Sequence, residues 1–120
     1  MKKLFTLLLA LGLTFSLAAC GSGEDSIKFG VIGPTTGDYS LYGVATAQGA
    51  QLAADEIGEV LGLPLEIISY DSKGDPAEGV NAYNRLTQED GIHALIGGTF
   101  SGVTLAVKDL AITDGLPVLS

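Results

Sequence analysis

The chain has 120 residues and is acidic, with 14 Asp and Glu against 6 Lys and Arg and a formal charge of −8. This charge argues against nucleic acid or anionic lipid as a partner, because both repel carboxylates. Cys20 is the only cysteine, so the chain cannot form an internal disulfide or a site built from several thiolates.

The first twenty residues have the layout of an export signal. Two lysines precede an uncharged, Leu-rich stretch over residues 4–19, which is short for a membrane-spanning helix of about 20 residues. The ending Leu-Ala-Ala-Cys at residues 17–20 resembles the lipobox of bacterial lipoproteins, in which the cysteine is lipidated and becomes the new N-terminus. We predict a signal peptide over residues 1–19 and a lipid anchor at Cys20. The alternative is a plain signal peptide with a chance cysteine.

The lipobox resemblance implies an exported protein held at a membrane, in the periplasm or on the outer face of the cell membrane. A diacylglyceryl group at Cys20 supplies two chains, which make a stable anchor. Loss of both N-terminal lysines would leave 4 Lys and Arg against 14 Asp and Glu, and take the formal charge from −8 to −10. Residues 20–26 then form the anchor and a polar, Gly-rich linker.

The exported part begins with a strand, a loop and a helix. Residues 27–33 are apolar and β-branched, and Pro34 ends the predicted strand. A loop with Tyr39 and Tyr42 follows, and both rings could line a pocket. The alternative is that one ring lies at the surface and the other packs on the sheet. Apolar residues at helical spacing predict a helix from about Gly43 to Glu59, broken by Gly62 and Pro64. The predicted inward face consists of Ala50, Ala53, Ile57 and Val60.

Two more strand–helix units and a final strand follow. Residues 65–70 and 92–97 are predicted strands, and residues 116–120 begin a fourth. Asp75 can cap a helix that starts at Pro76, runs to about Glu89 and is ended by Gly91. A third helix is predicted from about Gly102 to Thr113. The predicted inward residues are Val80, Tyr83 and Leu86 on the second helix, and Val103, Val107 and Leu110 on the third.

Alternating strands and helices predict an α/β fold, with a parallel sheet and helices on both faces. We expect the strand order 2-1-3-4, since right-handed crossovers leave few alternatives. The chain is predicted to stop on a buried strand with no covering helix. We therefore expect residues 27–120 to be part of the N-terminal lobe of a larger protein, present here as a fragment or a truncated gene product.

Such sheets bind ligands where the strand order reverses, here between strands one and three. The loop at residues 97–102 leads into a helix N-terminus, whose free N–H groups suit a carboxylate or phosphate. Ser101 can add a hydroxyl donor there, or it can merely cap the helix. No catalytic group, metal site, cofactor or dinucleotide-binding motif is predicted, and His93 is expected to have a structural role in its strand.

Three segments resemble the branched-chain amino-acid-binding proteins of ABC transporters, which are type I periplasmic binding proteins. They are IKFGVIGPTTGDYSLYGVATAQGAQLAADEI, YDSKGDPAEGVNAYNRL and IHALIGGTFSGVTLAVKDLAITDGLPVLS, and the resemblance covers about residues 27–120. It implies two lobes that close on a solute, delivery to ABC permease subunits in the membrane, and no enzymatic activity.

The resemblance also suggests site residues. Ser101 occupies the place of a family serine that binds the α-carboxylate, and Tyr42 that of a tyrosine lining the pocket. Thr99 and Gly102, in the same loop as Ser101, are further candidate ligand contacts. Certain leucine-binding members carry a Cys pair near the positions of Gly74 and Phe100, and both cysteines are absent here.

Several functions remain open at the level of the sequence. The leading hypothesis is that the protein binds an amino acid with an aliphatic side chain for import. Another small solute, such as urea, a short amide or an aromatic acid, is the alternative within the family. An exported α/β enzyme or a ligand-sensing receptor domain represents a different class.

Overall fold

The computed structural model describes residues 25–120, so the predicted signal peptide and Cys20 lie outside the described part. In chain order the elements are β1 (Ile27–Gly33), α1 (Ser40–Ile57), β2 (Glu59–Val60), β3 (Leu63–Asp71), α2 (Pro76–Arg85), a π-helical segment (Leu86–Asp90), β4 (Ala94–Gly97), α3 (Ser101–Asp114) and β5 (Val118–Leu119). Within these residues, no helix has both the length and the apolar character needed to cross a membrane.

The strands form one sheet in the order β2-β3-β1-β4-β5. β3, β1, β4 and β5 pair in parallel, which confirms the predicted order of the four strands. β2 is an unpredicted edge strand that pairs antiparallel with β3 through a tight hairpin. The strand order therefore reverses between β1 and β4, as expected.

Helices cover both faces of the sheet, which confirms the predicted α/β class. On one face, α2 packs against α3 and over β1 and β3, and the core there also includes β4. The buried cluster on this face consists of Ile32, Ala82, Tyr83, Leu86, Ile92, Leu95, Val103, Val107 and Ala111. α1 packs against β1 and β3 and has Gly43 and Ala54 as its buried residues.

The prediction for α1 was wrong at both ends and along part of its inward face. The helix starts at Ser40 and ends at Ile57, because Gly58 adopts φ 71° and donates its N–H to the Ala54 carbonyl. Val60 consequently lies in β2. Ala50 is half-buried, but Ala53 and Ile57 are exposed and Ala54 is buried. In such an Ala-rich helix, the residue pattern scarcely distinguishes neighbouring faces.

The predicted start of α2 is confirmed in atomic detail. Asp75 Oδ1 accepts the N–H groups of Ala77 and Glu78, at 2.8 and 3.0 Å, and Pro76 opens the helix. The last turn widens to π-helical geometry before Gly91, at φ 68°, ends it. The local cap and stop signals are therefore sufficient to delimit this helix.

α3 also follows its prediction closely, with one correction on its inward face. Val103 and Val107 are buried, whereas Leu110 is 36% exposed and Ala111 is buried in its place. Steps of four residues from Val103 lead to Val107 and Ala111, so Leu110 lies at the margin of the buried stripe.

Candidate functional site

The loops after β1, β3 and β4 meet at one edge of the sheet, where the carboxyl ends of these parallel strands lie together. This edge includes the β1–β4 reversal point, at which open α/β sheets bind ligands. The loop after β4 leads directly into α3, so the N-terminus of that helix opens at the reversal point.

Ser101 does not cap α3. The N-cap residue is Phe100, with extended backbone angles and no side-chain hydrogen bond to the helix. Ser101 is the first helical residue and is exposed, and its hydroxyl has no hydrogen-bond partner among residues 25–120. The capping interpretation of Ser101 is therefore wrong, and its hydroxyl remains available to a ligand.

The first turn of α3 also leaves backbone donors free. The N–H groups of Val103 and Thr104 bond to the Phe100 carbonyl, at 3.0 and 3.1 Å. Those of Ser101 and Gly102 have no acceptor in the described part of the chain. Two free N–H groups, an adjacent hydroxyl and the positive end of a 14-residue helix together favour a carboxylate or another small anion.

Gly98 allows this loop to lie tight against α3. It adopts φ +79°, and a Cβ at this position would stand 2.1 Å from Thr104 Oγ1. The Thr104 hydroxyl donates towards the carbonyls of Gly97 and Phe100, at 3.3 and 3.4 Å. Thr104, which the sequence analysis did not single out, therefore holds the loop in place.

An open cleft of about 350 Å³ lies beside the helix N-terminus. Two of the predicted site residues, Thr99 and Ser101, line it. The sequence analysis missed the remaining lining residues, which are Thr104, Leu105 and Ser120. Leu105 follows Ser101 by four residues, so helical spacing was the available signal. The cleft combines hydroxyl groups with an aliphatic wall.

Tyr42 lies beside this cleft and does not line it. Its ring contacts Phe100 at a centroid distance of 6.2 Å, and Tyr39 meets Phe100 edge-on at 5.3 Å. Both tyrosines are more than half exposed. The loop after β1 and the first turn of α1 thus meet the loop after β4 in an aromatic cluster of Tyr39, Tyr42 and Phe100, immediately before Ser101.

The Phe100 ring also covers Gly74 in the loop after β3. A Cβ at Gly74 would meet the ring at 3.2 Å. The two positions that the resemblance associates with a Cys pair are therefore neighbours in space, and here an aromatic ring on a glycine makes the contact.

Asp71, at the end of β3, links two of these loops. Its carboxylate accepts the backbone N–H groups of Thr35 and Lys73, each at 2.8 Å, and the Thr36 hydroxyl. Burial alone would raise the pKa of the Asp71 carboxyl. The hydrogen bonds from Thr36, Lys73 and Thr35 outweigh burial and hold this pKa below its usual value.

Comparisons with known proteins identify the family of this chain. A family profile described as "Periplasmic binding protein" matches residues 26–120. The Leu/Ile/Val-binding protein BraC3 of Rhizobium johnstonii is 36% identical over 107 residues, which cover 87% of this chain and 29% of that protein.

Two solved structures extend the comparison. The branched-chain amino acid transporter substrate-binding protein LivJ of Streptococcus pneumoniae, in complex with isoleucine, is 33% identical with a TM-score of 0.73, covering 78% of this chain and 28% of that one. An ABC transporter solute-binding protein of R. palustris, in complex with 4-hydroxybenzoate, is 27% identical with a TM-score of 0.72, covering 78% and 26%. The chain thus spans less than a third of the length of each of these relatives.

Proposed function

The chain belongs to the periplasmic binding protein family, and from this premise we propose that it contributes the first lobe of the solute-binding component of an ABC importer. The proposed ligand is an aliphatic amino acid of the branched-chain type, which is bound outside the cytoplasm and delivered unchanged to membrane permease subunits. Lipidation of Cys20 would keep the protein close to that permease.

The open N-terminus of α3 is the observation that carries this proposal. Within residues 25–120, the N–H groups of Ser101 and Gly102 and the Ser101 hydroxyl have no hydrogen-bond partner, so they offer three donors to an α-carboxylate. Leu105 gives the adjoining cleft an aliphatic wall. BraC3 is named as a Leu/Ile/Val-binding protein and LivJ holds isoleucine, which supports the same ligand class here.

An aromatic carboxylic acid is the second candidate ligand. The exposed rings of Tyr39 and Tyr42 could stack on such a ligand, while the same helix terminus receives its carboxylate. The R. palustris relative in complex with 4-hydroxybenzoate supports this alternative. Urea and neutral amides fit less well, because they carry no negative charge for the helix terminus.

Calorimetric titration can decide between these ligands. The protein expressed from its natural reading frame would be titrated with leucine, isoleucine, valine, 4-hydroxybenzoate and urea. We expect saturable binding of at least one of the three amino acids, with recovery of unchanged ligand by mass spectrometry. Binding of 4-hydroxybenzoate alone would establish the second candidate. Binding of urea alone, or conversion of any ligand, would refute the proposal.

A further inference from the structure

Asp71 connects the carboxyl ends of β1 and β3 at the edge of the sheet that carries the candidate site. Its Oδ1 accepts the N–H groups of Thr35 and Lys73, and its Oδ2 accepts the Thr36 hydroxyl. The Ser72 N–H adds a bond to the Gly33 carbonyl at 2.9 Å. The half-buried carboxylate therefore joins two loops that no other described side-chain hydrogen bond connects.

Both loops reach the aromatic cluster. The loop after β1 continues from Thr36 to Tyr39 through a turn in which the Ser40 N–H bonds to the Gly37 carbonyl at 3.1 Å. The loop after β3 continues to Gly74, over which the Phe100 ring lies. Phe100 directly precedes Ser101, so the geometry fixed at Asp71 extends to the residue beside the free helix donors.

We propose that Asp71 is a positioning residue, whose carboxylate sets the placement of the Tyr39 and Tyr42 rings against Phe100 and thereby shapes the solute site. Asp71 itself touches no ligand in this proposal. The part that concerns ligand affinity rests on the function proposed above, whereas the part that concerns ring placement stands independently.

The test uses the protein from its natural reading frame with isotope-labelled Tyr and Phe. Asp71→Ala removes every acceptor, whereas Asp71→Asn keeps a carbonyl oxygen for the N–H groups of Thr35 and Lys73. Thr36→Val removes one donor alone. Asp109→Ala is the matched control, because Asp109 is an exposed carboxylate on α3 outside the cluster.

Magnetic resonance of the rings separates positioning from simple stabilisation. Below the melting temperature, we expect Asp71→Ala to lose the contact between the Tyr39 and Phe100 rings, while signals of the buried Tyr83 ring stay in place. Asp71→Asn should retain most of that contact, whereas Thr36→Val should lose part of it, because it removes one of the three donors to the carboxylate. If Asp71 only stabilises the fold, Asp71→Ala would lower the melting temperature and leave the ring contact intact. That result would overturn the proposal.

Affinity for L-leucine provides the functional readout. We expect Asp71→Ala to weaken binding by about tenfold, corresponding to the loss of charge-assisted hydrogen bonds, and Asp71→Asn to recover most of it. If Asp71→Asn behaves like Asp71→Ala in both measurements, the proposed acceptor role is wrong.

If the unmodified protein binds none of the tested solutes, the proposed function fails, and the ring contacts alone decide the role of Asp71. If Asp71→Ala does not fold, partial loss of the ring contact in Thr36→Val supports the proposal, and an unchanged contact in Thr36→Val contradicts it.

Discussion

At the residue scale, the hydrogen bonds of Asp71 have a consequence for pH dependence. Its folded-state pKa lies below the unfolded value of about 3.9, so the unfolded chain binds more protons in this range. The contribution of Asp71 to stability is present above the unfolded pKa and is lost as the pH falls through the folded pKa.

We therefore expect the free energy of unfolding to decrease below about pH 5, where Asp71 begins to take up protons in the unfolded state. Asp71→Asn should show a shallower decrease, because the amide does not titrate. Urea unfolding between pH 3 and pH 7 would measure both slopes. If the free energy of unfolding falls equally steeply with pH in both proteins, the lowered pKa of Asp71 does not contribute to stability as described.

Gly102 allows stability and binding to be separated. A Cβ at this position meets only Pro76 Cγ, at 3.7 Å, so alanine fits the fold. We expect Gly102→Ala to raise the free energy of unfolding by up to about 1 kcal/mol and to weaken leucine binding, because the methyl group crowds the free helix donors. Gly49→Ala on α1, where a Cβ meets nothing within 4 Å, is the control. If Gly102→Ala binds leucine as tightly as the unmodified protein, the ligand does not bind at the N-terminus of α3.

Some residues of this site could be predicted from the sequence and others could not. Ser101 and Thr99 could be assigned to the site because the order of strand, loop and helix fixes the edge of the sheet at which they lie. Helical spacing puts Leu105 on the same face of α3 as Ser101, but which face borders the cleft depends on how α3 packs against α2, so this spacing alone did not assign Leu105 to the site. The link from Asp71 to Thr35 joins residues 36 apart and is likewise a tertiary feature.

At the element scale, the ends of helices and strands were predicted best where a capping or turn residue marks them in the sequence. The start of α2 was predicted because Asp75 and Pro76 are a cap and a first-turn residue. The start of α1 was missed because its N-cap residue, Tyr39, makes no side-chain hydrogen bond to the helix. The β2–β3 hairpin was missed for a similar reason, since Leu61 is an unusual residue for its turn.

The hairpin turn offers a test of this explanation. Leu61 and Gly62 both have positive φ, 56° and 79°, and Leu61 is 93% exposed. Asn tolerates this conformation better than Leu, which is strained by about 1 kcal/mol in the left-handed region. We expect Leu61→Asn to raise the free energy of unfolding by about 0.5–1 kcal/mol in urea unfolding. A loss of stability would indicate that the leucine makes a compensating contact.

At the scale of the whole molecule, the strand order was predictable because right-handed crossovers restrict a parallel sheet to few arrangements. The crossover rule does not predict which side chains of α3 and β5 are exposed. Leu105, Ile112 and Leu119 are 64%, 71% and 70% exposed, which leaves an apolar surface along α3 and β5.

We expect residues 27–120 in isolation to be marginally stable and to bind solute poorly, because this apolar surface faces water and the segment spans under a third of its relatives. Thermal melting followed by circular dichroism, with an apolar dye as a second probe, would measure this. A cooperative melt together with micromolar affinity for an amino acid would contradict the expectation.

We expect the open N-terminus of α3, with Ser101, to receive the carboxylate of the solute. The most direct measurement compares L-leucine with L-leucinamide, which lacks the carboxylate, on the natural protein and on Ser101→Ala, with Thr113→Ala at the far end of α3 as the control. We predict that the natural protein and Thr113→Ala strongly prefer leucine, and that Ser101→Ala weakens leucine binding by about tenfold with an unchanged melting temperature. Equal affinity for leucine and leucinamide, or full leucine affinity in Ser101→Ala, would contradict this expectation.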